Sequence, residues 1–138
     1  MQIVFETNPN ENDVKTVFNG LVEFNKPVFN DDNLTHIACF CRDDEGKIRG
    51  GATGLTVGNI AMIRYLWIAD ELRGQGIGGQ IFETLEAEFK QRGITEIHLD
   101  TYSFQAPEFY KKLGFEEVAR YVAMKDKNID KIFLIKQL

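Results

Sequence analysis

The chain has 138 residues, 43% of them hydrophobic and 27% charged, which suffices for one globular domain around one core. Its formal net charge of −5 argues against nucleic acid or an anionic membrane as the main partner and suits a cationic substrate such as an amine. No apolar run approaches the roughly 20 residues that span a bilayer. The opening MQIVFETNPNEN has neither the basic region nor the apolar core of a signal peptide, so a cytoplasmic location is the default expectation.

In chain order, QIVFE (residues 2–6) reads as a short strand. NPNE follows as a helix start, with Asn8 as cap, Pro9 at the first helical position and Glu11 reaching back. Val14, Val17, Phe18 and Leu21 then recur at helical spacing. Residues 25–33, with Pro27 and several Asn and Asp, predict a loop or short irregular helix. Three strands come next, THIACFCR, IRGGATGLTV and IAMIRYLWIAD, joined by the turns DDEGK and GN. Cys39 and Cys41 fall on one face of the first of these. Their spacing is neither that of a redox pair nor part of a zinc quartet, so no metal is expected and both read as small buried hydrophobes.

The stretch LRGQGIGG opens a helix whose apolar face is marked by Ile81, Phe82, Leu85 and Phe89, with Arg92–Gly93 as its stop. TEIHLD is then a strand reached through a helical crossover, hence parallel to the strand before the glycines. APEFYKKLG is a short helix. FEEVARYV and KIFLIKQ close the chain as a hairpin across MKDKNID. The sum is an α+β domain, a mixed α/β sheet of about seven strands with helices on both faces.

The glycine loop is the chemical signal. The first amides of a helix have no internal partners and carry partial positive charge, and glycines let an anion approach them. A Walker loop needs Gly-Lys-Ser/Thr at its end, and here the sequence is Gly-Gly-Gln. Gly74, Gly76 and Gly79 do spell the dinucleotide G-x-G-x-x-G, with Asp100 ending the next strand. ADEL, however, separates the glycines from the preceding strand, which belongs to an antiparallel meander.

The whole stretch LWIADELRGQGIGG resembles the acetyl-CoA signature of the GNAT family of N-acetyltransferases, with Arg73, Gly76 and Gly78 in its core pattern. APEFYKKLGF (residues 106–115) resembles that family's second signature, and the likeness covers nearly the whole chain, 1–138, as a single N-acetyltransferase domain of the acyl-CoA N-acyltransferase fold. The resemblance implies acetyl-CoA as co-substrate. Its diphosphate would lie on Arg73, Gly74, Gln75, Gly76, Ile77, Gly78 and Gly79, and its pantetheine arm along Leu66, Trp67 and Ile68. It implies direct transfer to a primary amine of a small molecule or a protein, with a backbone N–H near Ile68 for the oxyanion and Tyr110 as the acid for the departing thiolate.

An amine of pKa near 10 must lose a proton first. Glu23, Asp70 and His98 are the candidate bases, and a water chain is the alternative. Two positions depart from the family: Ser103 stands where an asparagine commonly contacts the cofactor, and Asp70 where proline is frequent. Tyr65 and Trp67 alternate along one strand and should share a face, as core packing or as an aromatic wall of the acceptor pocket. A coenzyme A-binding module without turnover is the competing function. The family often dimerises, so a homodimer is an expectation.

Overall fold

The computed structural model describes residues 1–29 and 34–138, in two compact units, Met1–Asn33 and Leu34–Leu138. The first unit holds helix α1, Glu11–Phe29. Its cap is Asn10 rather than Asn8: the Asn12 amide donates to Asn10 Oδ1 at 2.8 Å, while Asn8 has a φ of 53° and belongs to the turn before. Glu11 and Asp13 add negative charge to the first turn, where the helix dipole favours it. Pro27 lies near the far end, so the helix reaches Phe29 through a segment expected to be irregular. Residues 30–33, the rest of that segment, lie outside the described residues.

Residues 2–6 form no strand. A strand exists only by pairing, and every strand among the described residues finds its partners in the second unit. The sheet therefore has six strands and not seven. They are β1 (Thr35–Arg42), β2 (Ile48–Val57), β3 (Ile60–Ile68), β4 (Glu96–Tyr102), β5 (Glu116–Met124) and β6 (Ile129–Gln137), in the spatial order β1-β2-β3-β4-β6-β5. Only β3 and β4 are parallel, as the crossover through helix α2 (Ile77–Gln91) requires. Helix α3, Pro107–Lys112, follows β4.

The apolar stripe of α2 is the one its periodicity marks. Ile81, Phe82, Leu85 and Phe89 are its buried residues, packed with Ile97 and Leu99 of β4 and Ile132 and Leu134 of β6. Phe82 is the hub: it meets Phe109, Tyr110 and Phe115 edge-on, with ring centroids 5.7–6.1 Å apart. These contacts fasten α3 to the start of α2.

One irregularity of β3 shapes the rest. Thr53 pairs with Tyr65 and Gly54 with Ile63, so Arg64 is an extra residue, a bulge. A bulge bends its strand and shifts the alternation of faces. Ala61 and Ile63 before it are buried, and Leu66 and Ile68 after it pack on the same core. Tyr65 and Trp67 are therefore sent to the opposite face, where they are 73% and 53% exposed. They do share a face, and it is not the core. The parallel ladder ends at the same place, with Ile63↔Leu99 its last pair. Beyond it β3 continues to Ile68 and β4 to Tyr102 without pairing to each other.

Candidate active site

The two diverging strands open a cleft of about 990 Å³, lined by β3 from Arg64 to Ile68, by the glycine loop, by the end of β4 and by α3. The divergence begins past Leu99, so the β4 residues bordering the gap are Asp100 and Thr101. His98 still pairs with Met62.

Backbone parity decides what β3 offers the gap. The Ala69 amide donates to the Arg49 carbonyl at 2.9 Å, and Ile68 stands opposite Gly50. In an antiparallel ladder the bonded pairs alternate, so the amides of Trp67 and Tyr65 face β2, and those of Ile68 and Leu66 face the gap. Trp67 lines the cleft with its side chain and does not offer it a backbone group. The Ile68 carbonyl is already taken: Arg73 Nε donates to it at 3.0 Å.

At the loop, Gly74 and Gly76 have φ of 74° and 79°, conformations that disfavour a side chain. Gly76 caps α2 with no side-chain bond, and the helix has no acidic residue in its first turn. The amides at the helix start are thus bare, and Ile77, Gly78 and Gly79 all line the cleft. A Cβ at Gly74, Gly76 or Gly79 would meet nothing within 4 Å. This arrangement fits a diphosphate. Gly78 has a different use: a Cβ there would stand 2.9 Å from Phe109 Cζ. Arg73 is committed on two sides, to Ile68 and, at 3.0 Å, to Asp70. Gln75 turns away from the cleft, and its amide donates to the Glu71 carbonyl at 2.9 Å.

Tyr110, on α3, borders the cleft from below. Burial pushes its phenol above the usual range, and the Asp100 carboxylate adds to the shift. The hydroxyl therefore stays protonated through neutral pH, as a donor must.

Ser103 lies off the cleft. Its hydroxyl accepts the Asp130 amide at 3.0 Å, and its own amide donates to the Asp130 carbonyl at 2.9 Å, which ties it to β6. Of the three candidate bases, Asp70 and His98 do not line the cleft. Glu23 belongs to the first unit and pairs with Lys26 at 2.7 Å. Asp70 is exposed and holds Arg73. His98 is half-buried, 3.4 Å from Glu96.

Residues 35–117 match the family model described as the acetyltransferase (GNAT) domain. The chain belongs to the GNAT acetyltransferase family. Among its relatives, an acetyltransferase of Agrobacterium fabrum is 26% identical over 104 residues, covering 75% of this chain and 76% of that protein. Blasticidin-S acetyltransferase of Streptomyces morookaense is 28% identical over 94 residues, 67% of this chain and 69% of the relative. The crystal structure of an acetyltransferase from Bacillus cereus superposes with a TM-score of 0.79 at 30% identity, covering 98% of both chains.

Within this GNAT domain the structure adds cleft residues that the sequence did not single out. Asp100 is the sole carboxylate among the described residues lining the cleft. In the sequence it stands out only as the acid that ends the strand after the glycines, within the dinucleotide pattern. Gln105 is another addition: its Oε1 accepts the Tyr102 amide at 2.9 Å. That bond satisfies a β4 amide next to the gap, and no local motif announces it.

Proposed function

We propose that this protein is an acetyl-CoA-dependent N-acetyltransferase that works by direct attack of a primary amine on the thioester. The observation that carries this reading is the continuity of one cleft, from the bare amides of α2, along the gap between β3 and β4, to the Tyr110 hydroxyl.

Acetyl-CoA supplies an activated acyl carbon and a sulfur leaving group. The residues of the chain do the rest. The amides of Ile77 to Gly79 hold the diphosphate. The Leu66 amide pairs with the arm as a neighbouring strand would. The Ile68 amide is the donor available to the thioester oxygen as it takes on charge. The amine, having lost one proton to solvent, forms its C–N bond as the C–S bond breaks. The electron pair leaves on sulfur, which takes a proton from Tyr110; the new amide nitrogen sheds its extra proton to solvent, and solvent returns one to the phenolate.

One relative bears the name blasticidin-S acetyltransferase, which puts small-molecule amines first among acceptors to try. The test is a thermal-shift comparison of acetyl-CoA with NAD, followed by release of free coenzyme A across a panel of primary amines. Stabilisation by acetyl-CoA and release with at least one amine are expected. Stabilisation by NAD and not by acetyl-CoA would overturn the reading.

A further inference from the structure

On the acetyltransferase reading above, we infer that Asp100 is the acceptor-binding residue of the cleft, seating the ammonium of a cationic primary amine between its carboxylate and the aromatic wall of Tyr65 and Trp67.

Strand order and side-chain parity carry this. On β4, Ile97, Leu99 and Thr101 are buried toward the core, so Asp100 stands on the opposite face. The bulge at Arg64 sends Tyr65 and Trp67 to that same face of β3. The ladder between the two strands has ended one residue before Asp100. A carboxylate and two aromatic side chains thus border one opening, all lining the same cleft. Carboxylates bind ammonium by charge-assisted hydrogen bonds, and aromatic faces bind it through their quadrupole.

The other side of Asp100 is occupied. Lys131 Nζ reaches Asp100 Oδ1 at 2.6 Å and lies 4.3 Å from the centre of the Tyr102 ring. Lys131 is on β6, on the far side of β4 from β3. It grips one carboxylate oxygen from the β6 side, while Asp100 also lines the cleft. The side chain of Asp100 remains 46% exposed. The cleft's cations, Arg64 and Arg73, are on β3 and the loop, and Arg73 is paired with Asp70.

The test uses the full chain and steady-state release of coenzyme A with tyramine, putrescine and blasticidin S. Asp100→Asn should raise the acceptor KM about tenfold or more and leave the acetyl-CoA KM within about twofold. Asp100→Glu should recover part of the loss. Added salt should raise the acceptor KM of the wild type and not that of Asp100→Asn. An unmoved acceptor KM, an equal rise in the acetyl-CoA KM, or salt sensitivity that survives in Asp100→Asn would each overturn the inference. So would a wild type that is stabilised by acetyl-CoA yet consumes none of the three amines. Failure of acetyl-CoA to stabilise the wild type instead defeats the acetyltransferase reading itself.

Discussion

The ring of Phe109 occupies the space that a side chain at Gly78 would need, 2.9 Å from the position of its Cβ. Gly78 belongs to the first turn of α2, and Phe109 to α3. The two stretches that resemble family signatures therefore pack against each other, and the absence of a side chain at Gly78 is what leaves room for the ring.

Substituting the two neighbouring glycines separates packing from ligand access. Gly78→Ala forces the Phe109 ring to shift and should cost about 1–2 kcal/mol of stability. Gly79→Ala meets nothing within 4 Å and should leave stability unchanged or raise it by about 0.5–1 kcal/mol. It does place a methyl group at the cleft wall, so acetyl-CoA affinity should fall. Urea unfolding of both variants, with calorimetric titration of acetyl-CoA, distinguishes the two effects.

Gly54 should tolerate no side chain at all. A Cβ there would strike the Met62 carbonyl and stand 3.0 Å from Ile63 Cα, and both are backbone atoms beside the bulge. Gly54→Ala should destabilise by about 3 kcal/mol, read as a lowered urea midpoint. A variant as stable as the wild type would mean the bulge geometry is wrong.

Gln105→Ala removes the acceptor of the Tyr102 amide. The expected loss is about 1 kcal/mol. Hydrogen exchange should quicken at Tyr102 while the amides of β4 paired to β6 keep their protection.

Tyr110→Phe should lower kcat by about 100-fold or more and leave acetyl-CoA affinity within about twofold. The wild-type pH profile carries a further signature. The rate should rise with pH as the amine loses its proton, and it should fall only when the phenol ionises. Burial, and then Asp100, push that ionisation upward, so the alkaline fall should come above pH ~10, the ordinary range of a tyrosine. A fall near pH 8 would remove Tyr110 from the acid's role.

Much of the molecule was legible in the chain because its causes are local. The stripe of Ile81, Phe82, Leu85 and Phe89 follows from helical spacing, and all four are buried. The glycine loop and its helix start follow from neighbouring residues, and ten of the twelve anticipated contacts line the cleft, all but Gln75 and Ser103. The Ser103 hydroxyl is taken by the amide of Asp130, from a distant strand, and the Gln75 amide by the carbonyl of Glu71, in the turn just before it.

What only the tertiary structure decided depends on pairing between distant segments. Residues 2–6 have strand chemistry and form no strand. One extra residue at Arg64 reverses which face Tyr65 and Trp67 occupy, and alternation along β3 gives no hint of it, since the bulge is defined against Thr53 and Gly54 of another strand. Asp100 enters the cleft because β4 parts from β3 there, while Lys131 of β6 grips one of its carboxylate oxygens. Side-chain spacing determines which residues prefer the core. Strand register determines what stands across a gap, because each pairing is a relation between two chain segments and is written in neither alone.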